Sequence, residues 1–100
     1  MAIDETAVLL WTRDCVKDVN KFFSGDVQRV AGLMQQLCQN DYIDSEWCEN
    51  GRGAWAACDA YSIRVLEWVP TAQREMRIEY FLKFAINRLG TLVLTVSCHT

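Results

Sequence analysis

The sequence lacks the features that most readily identify an enzyme. It contains no glycine loop that would hold a phosphate, no nucleophile elbow and no histidine–glutamate metal motif. Histidine occurs once, as His99, directly after Cys98. Neighbouring residues on a strand point to opposite faces, so these two side chains are a poor candidate for a catalytic pair. The sequence therefore favours a protein without catalytic residues over an enzyme, and it indicates no cofactor.

Long apolar runs and closely spaced cysteine pairs are also missing. No run approaches the ~20 apolar residues of a membrane helix, and no basic segment followed by an apolar one suggests a secretory signal. The five cysteines include no CxxC pair, which is typical of reduced thiols in a cytoplasmic protein. A scattered set of Cys48, Cys58, Cys98 and His99 lacks the paired spacing of zinc ligands. We therefore expect a cytoplasmic location, free thiols, no metal and no membrane.

Positive charge is scarce in the first part of the chain. Residues 1–59 contain ten acids and five bases, giving −5, whereas residues 60–100 contain three acids and five bases, giving +2. Binding to nucleic acid relies on Lys and Arg that neutralise phosphates, so this balance argues against nucleic acid as a partner. A length of 100 residues, of which 51% are hydrophobic, is typical of one domain with one core. We expect a single domain over residues 1–100.

Two amphipathic helices are predicted in the N-terminal part. Apolar residues recur at helical spacing over residues 4–23, where Asp4 or Thr6 is the candidate N-cap and Ser24-Gly25 ends the helix. A second helix has Asp26 near its start. Its predicted apolar face consists of Val27, Val30, Ala31, Met34, Leu37 and Cys38.

The clearest strand signal runs from Glu75 to Cys98. Apolar residues fall on every second position, which is typical of two half-buried strands; they are Met76, Ile78, Tyr80, Leu82, Phe84 and Ile86, then Leu92, Leu94, Val96 and Cys98. The segment Arg88-Leu89-Gly90 fits a three-residue hairpin turn with a left-handed Gly90. The predicted register pairs Ile86 with Leu92, Phe84 with Leu94, Leu82 with Val96 and Tyr80 with Cys98.

Residues 40–69 give weaker signals. Asn50-Gly51 is a strong hairpin signal, and the segment from Ala54 to Ala60 favours a strand slightly over a short helical segment. The segment from Tyr61 to Val69 is strand-like in composition and is ended by Pro70. The predicted fold class is α+β, with two N-terminal helices packed on one face of a three- or four-stranded antiparallel meander.

An acidic segment without a basic residue spans residues 40–50. One interpretation is a solvated loop whose two aromatic residues are anchored in the core. The other is a protein interface, because acids steer a basic partner while Tyr and Trp anchor it. The candidate partner-binding residues are Asp41, Tyr42, Asp44, Glu46, Trp47 and Glu49. The leading hypothesis is a small bacterial inhibitor, an immunity or antitoxin protein that neutralises a basic toxin.

Several short motifs in the C-terminal half match a known family. They are Asp41-Tyr42 with Ser45, then Trp55, Asp59-Ala60-Tyr61, Tyr80-Phe-Leu-Lys83 and Leu92-Val-Leu-Thr-Val-Ser97. Over residues 33–98 the chain thereby resembles the RNA-cleaving toxins of the MqsR type. The resemblance implies an alternative function, a toxin-like ribonuclease of the MqsR/RelE type. At the family's catalytic positions this chain has Asp44, Ala56 and Phe81, with Tyr80 one residue away from the expected tyrosine.

Overall fold

A computed structural model describes residues 5–87 and 90–100 of the chain. In order, the elements are a 3₁₀ turn (Glu5–Ala7), β1 (Val8–Leu10), α1 (Arg13–Phe23), α2 (Val27–Gln36), a second 3₁₀ turn (Gln39–Asp41), β2 (Tyr42–Glu49), β3 (Trp55–Val69), β4 (Arg74–Ile86) and β5 (Val93–His99). The strands form one sheet in the order β1-β5-β4-β3-β2. Within the described residues, no helix has the length and apolar character needed to cross a membrane.

The α+β class and the N-terminal position of the helices are confirmed, whereas the predicted number of strands is wrong. In the described part of the chain the sheet has five strands, and the additional one is β1. β1 runs parallel to β5, with Val8 beside Val93 and Leu10 beside Thr95. The other neighbouring strands are antiparallel. Pairing with the far end of the chain therefore takes residues 8–10 out of the helix that their local spacing predicts.

The start of α1 is also set by hydrogen bonds to the far end of the chain. Thr12 is the N-cap, since its Oγ1 accepts from the Cys15 N–H at 3.1 Å. The same hydroxyl donates to the Val96 carbonyl at 2.9 Å, which ties the cap to β5. Asp4 lies outside the described residues, and Thr6 lies in the first 3₁₀ turn. The predicted start of this helix near residue 4 is therefore wrong.

The junction between the helices follows the prediction more closely. Ser24 adopts a left-handed conformation at the end of α1, and Gly25 follows with φ +76°. Asp26 caps α2 by accepting from the Gln28 N–H at 3.0 Å. α2 ends at Gln36, so Cys38 falls outside the helix and is exposed. The predicted apolar face is therefore wrong at Cys38. It also omits Leu33, which is buried in α2.

The strand β3 joins two segments that the sequence suggested separately. It runs without interruption over 15 residues and ends directly before Pro70. The turn that precedes it contains Gly51 with φ +84°, a conformation that favours glycine. The predicted strands at 54–60 and 61–69 and the Asn50-Gly51 turn are thus confirmed.

The register between β4 and β5 differs from the prediction. Ile86 pairs with Val93 rather than Leu92, and an irregularity after Lys83 shifts the pairing so that Leu82 lies opposite Cys98. The side chains of Val93, Thr95 and Cys98 are consequently the buried ones of β5. A bulge inserts one residue into one strand and so reverses the alternation of faces, which a strict period of two cannot anticipate. Gly90 has the predicted positive φ of 69°, whereas Arg88 and Leu89 lie outside the described residues.

The helices cover one face of the sheet, here called the helix face; the other is the open face. Tyr80, Leu82 and Phe84 of β4 are buried on the helix face, as the alternation in β4 predicts. The Phe23 and Tyr80 rings lie 5.4 Å apart between α1 and β4. The buried core cluster comprises Cys15, Val19, Phe23, Val30, Ala31, Leu33, Met34, Ile63, Tyr80, Leu82, Phe84, Val93 and Cys98. Burial of each large apolar side chain contributes about 1.5–3 kcal/mol.

Candidate partner-binding strand

The acidic segment forms β2, which is an edge strand. Among the residues that the structure describes, β2 pairs only with β3, and it lies at the end of the sheet order. All of its residues are exposed except Cys48, which is half-buried. The Trp47 side chain is 70% exposed and the Tyr42 side chain 46%. The interpretation as a loop with two aromatic residues anchored in the core is therefore wrong, because the segment is a strand whose tryptophan faces solvent.

The backbone of β2 presents free hydrogen-bonding groups on its outer side. The Asn50 N–H donates to the Ala54 carbonyl at 3.0 Å next to the turn. Pairs that exchange hydrogen bonds alternate with pairs that do not in an antiparallel ladder. The bonded positions of β2, counted from this pair, are Cys48, Glu46 and Asp44. The N–H and C=O groups of Ser45, Trp47 and Glu49 consequently point away from β3, toward solvent.

The predicted partner-binding residues lie on both faces of β2. Register with β3 places Asp44 and Glu46 on the open face. It places Tyr42, Trp47 and Glu49 on the helix face. Five of the six residues thus share one strand, with two acids on one side and the two aromatic residues with Glu49 on the other. A partner would contact both sets only by lying along the strand's outer edge.

Asp41 differs from the other predicted binding residues. It lies in the second 3₁₀ turn, where its Oδ2 accepts from the Cys38 N–H at 2.9 Å. The Cys38 thiol donates to the same oxygen at 3.3 Å. Its carboxylate therefore holds the turn that leads into β2, and it adds negative charge near the strand without lying on it.

An ion pair crosses the open face from β2 to β4. The Lys83 ammonium donates to Glu46 Oε1. This hydrogen bond and the lysine's charge lower the pKa of Glu46, and the same bond raises the pKa of Lys83. Glu46 is therefore ionised over a wider pH range than an isolated glutamate. The pair also neutralises the positive charge that Lys83 would otherwise present on this face.

Two cysteines lie beside this ion pair. Cys58 of β3 is opposite Glu46 and is fully buried, and the half-buried Cys48 donates to Glu46 Oε1 at 3.9 Å. Burial, together with the neighbouring Cys48, raises the pKa of Cys58 to about 12. A thiol that stays protonated is a poor nucleophile and a poor metal ligand. Within residues 5–87 and 90–100, no cluster of three or more His, Cys, Asp or Glu side chains has the arrangement of a metal site.

A chain of hydrogen bonds fixes the first half of β2 on the helix face. The Ser45 hydroxyl donates to Asp59 Oδ1 at 2.5 Å, and the Tyr42 hydroxyl lies 2.5 Å from the Ser45 oxygen. The Tyr42 ring also contacts Tyr61 edge-on at 5.8 Å. These side chains carry part of the sequence resemblance. Their contacts join β2 to β3 and give the exposed edge strand a defined position.

The positions that correspond to the catalytic residues of the MqsR-type toxins share the open face but lie apart along its strands. Register places Asp44, Ala56 and Phe81 on three neighbouring strands of that face. Their side chains supply a carboxylate, a methyl group and a phenyl ring. Tyr80 lies on the opposite face, 3% exposed, and its hydroxyl donates to Glu67 Oε2 at 2.6 Å. Burial, together with the Glu67 hydrogen bond, raises the pKa of Tyr80 to about 12.

Trp55 is a surface residue that the sequence analysis did not assign to the binding site. It is 61% exposed and lies on the same face of the β2–β3 hairpin as Trp47. The two residues occupy diagonal positions, since Glu49 pairs with Trp55 and Trp47 with Ala57. Folding the sequence about Asn50-Gly51 would have brought the two tryptophans together. They extend the aromatic surface beside the outer edge of β2.

A groove of about 880 Å³ adjoins the C-terminal end of β2. One wall comes from β1 and the start of α1, including Leu9, Trp11 and Val16, and the other from β2 and its turn. The two edges of a five-stranded sheet can line one groove because twisted sheets curl. The formal charges in its lining cancel, with Arg13 and Arg52 balanced by Asp14 and Glu49. The groove is therefore suited to an uncharged side chain.

Comparisons with protein-family models, curated proteins and solved structures give no match to this chain.

Proposed function

We propose that this chain is a small acidic inhibitor that binds a basic protein, in the manner of an immunity or antitoxin protein that neutralises a basic bacterial toxin. The observation that carries the proposal is the exposed edge strand β2, where acidic and aromatic side chains flank a free backbone edge. Sheet edges invite pairing with other chains, and charged side chains limit which chains can pair. An acidic edge selects a basic partner.

Electrostatics and aromatic contacts have separate roles in this proposal. Asp44 and Glu49 attract a basic surface and raise the association rate, whereas the charge of Glu46 is already paired with Lys83. Trp47 and Trp55 offer large apolar areas that a partner would bury, which mainly slows dissociation. The acids also disfavour pairing of β2 with a second copy of itself, because like charges would then face one another.

The alternative function is a toxin-like ribonuclease. One observation favours it: Tyr42, Ser45 and Asp59, which carry part of the sequence resemblance, are hydrogen-bonded to one another. Its weakness is chemical, because cleavage of RNA by general acid–base catalysis needs accessible groups near the phosphate. Asp44 would repel that phosphate, and the Tyr80 hydroxyl is engaged by Glu67 within the core.

Two assays on one preparation distinguish these functions. The inhibitor proposal predicts that the immobilised protein retains a basic protein from the source cell, and that adding the protein to this purified partner abolishes the partner's activity. The ribonuclease alternative predicts that the protein alone cleaves RNA and that Tyr80→Phe reduces cleavage. RNA cleavage without a partner would overturn the inhibitor proposal, as would retention of acidic proteins alone.

A further inference from the structure

We infer that the partner docks by adding an extended segment to the outer edge of β2 as an antiparallel sixth strand, with basic residues at every second position. This inference rests on the proposed function and specifies the form of the partner's binding segment. Strand addition uses backbone hydrogen bonds for affinity and alternating side-chain contacts for specificity. β2 is eight residues long and lies at the edge of a sheet that supports it through β3.

The backbone geometry defines which residues receive the added strand. Ser45, Trp47 and Glu49 direct their N–H and C=O groups away from β3, as counted from the Asn50–Ala54 hydrogen bond. An antiparallel segment would exchange hydrogen bonds with these three residues. Antiparallel pairs outnumber parallel pairs in proteins, and every contact of β2 within the sheet is already antiparallel.

The side chains of β2 define the sequence pattern of the segment. Residues paired through hydrogen bonds lie opposite one another on the same face, so the bonded residues of the partner would flank Trp47 on the helix face. Apolar side chains are suited to these positions. The residues between them would lie on the open face, where Lys or Arg is favoured beside Asp44. The charge of Glu46, on the same face, is already paired with Lys83. The expected segment therefore alternates basic and apolar residues.

The groove beside β2 supports an apolar rather than a charged residue at one end of the segment. It adjoins Cys48 and Glu49, and its apolar wall includes Leu9, Trp11 and Val16. A segment that runs along β2 reaches this groove where the strand ends. Its volume of about 880 Å³ lies within the ~300–1,000 Å³ of clefts that enclose small ligands.

The first test uses a fluorescently labelled synthetic peptide of eight residues in which lysine and valine alternate. Fluorescence anisotropy measures its affinity for the protein. Two methylated versions provide matched controls. N-methylation of the valines removes the amides that would face β2, and it should weaken binding by roughly tenfold or more. N-methylation of the lysines affects amides on the far side and should leave the affinity nearly unchanged.

The second test uses the protein's own backbone. Glu49→Pro removes an outward N–H, and proline is tolerated on an edge strand when its nitrogen faces solvent. Glu49→Ala removes the same carboxylate and keeps the N–H. Strand addition predicts that Glu49→Pro binds the peptide roughly tenfold more weakly than Glu49→Ala. Equal thermal melting temperatures of the two variants would show that the fold is intact. If Glu49→Pro melts at a lower temperature, amide hydrogen exchange in the parent protein is the test used in place of this comparison.

Amide hydrogen exchange gives a pattern that a side-chain contact would not produce. Peptide binding should slow exchange at Ser45, Trp47 and Glu49, whereas Asp44, Glu46 and Cys48 already donate to β3. Equal binding of the two methylated peptides, no binding of the parent peptide, or uniform protection of β2 would each overturn strand addition. If strand addition is overturned but the protein inhibits an isolated basic partner, the proposed function still stands. Peptide binding with the expected pattern, but no basic protein partner, would reject the function and keep the binding mode.

Discussion

At the scale of single residues, the Glu46–Lys83 ion pair makes stability depend on pH. Lys83 lowers the pKa of Glu46 from its ordinary value of 4.5. The folded state therefore gains stability from this carboxylate above pH 4.5, and that gain is lost as the pH falls through the lowered pKa. We expect Glu46→Gln to reduce the free energy of unfolding at neutral pH and to match the parent in strong acid. Denaturant titrations at several pH values measure the difference, and a gap that stays constant with pH would contradict this role.

The cysteines provide a second prediction at this scale. All five are free thiols in the structure, as predicted from the sequence. Cys38 is exposed and Cys48 half-buried, whereas Cys15, Cys58 and Cys98 are buried. Burial also raises the pKa of each of these three thiols, and the thiolate is the reactive form. A thiol reagent should label Cys38 first and Cys48 next in the native protein, and all five after unfolding without reductant. Mass spectrometry follows the labels; a shortfall of two in the unfolded protein would indicate a disulfide.

At the scale of the elements, β4 contributes buried side chains to the core at every second position. This alternation of buried and exposed faces can be tested directly. Leu82 is 1% exposed on the helix face, while Leu66 on the neighbouring strand is 60% exposed on the open face. Leu82→Asp places an unpaired charge in the core and should destabilise the fold by about 3–5 kcal/mol, a large share of a typical domain's stability. Leu66→Asp makes the same chemical change in solvent and should cost little. Thermal melting compares the two; cooperative melting of Leu82→Asp near the parent temperature would contradict the observed faces.

The sequence predicts elements well where local pattern and tertiary pairing agree. The alternation in β4 identifies Tyr80, Leu82 and Phe84 as core residues, because that strand has the helices on one side only. The predictions for residues 8–10 and for the register of β5 are wrong for a common reason. Residues 8–10 have helical spacing but pair with β5, and the bulge near Lys83 reverses the faces of β5 without a local sequence signal. Both features depend on contacts between residues far apart in the chain.

The candidate site likewise has features that the local sequence predicts and features that depend on contacts between distant residues. Composition alone identifies the acidic and aromatic segment that forms β2, whereas the exposure of Trp47 is seen only in the structure. Sequence reasoning could not place Asp44 and Trp47 on opposite faces, because it left open whether residues 40–60 form a strand. The Glu46–Lys83 pair joins residues 37 positions apart. Only the register of three strands brings them together.

At the scale of the whole molecule, the aromatic surface of the β2–β3 hairpin should control how long a partner stays bound. Trp47 is the most exposed of the large hydrophobic residues in the described part of the chain. Trp47→Ala should raise the dissociation rate of the basic partner by roughly tenfold to a hundredfold and change the association rate little. Surface plasmon resonance separates the two rates. Trp68→Ala is the matched control, since Trp68 is 62% exposed but lies at the other end of β3.

The distribution of charge provides the most direct test of the claim that β2 is the docking strand for a basic protein. Asp44→Lys and Glu75→Lys both change the net charge from −3 to −1, but Asp44 lies on β2 and Glu75 on β4. The measurement is the association rate of each variant with the purified partner, by stopped-flow at low and at physiological salt. We predict that Asp44→Lys slows association by a factor of roughly two to ten at low salt. This effect should shrink as salt screens it, while Glu75→Lys should remain close to the parent. Equal association rates for the two variants at low salt would contradict the account.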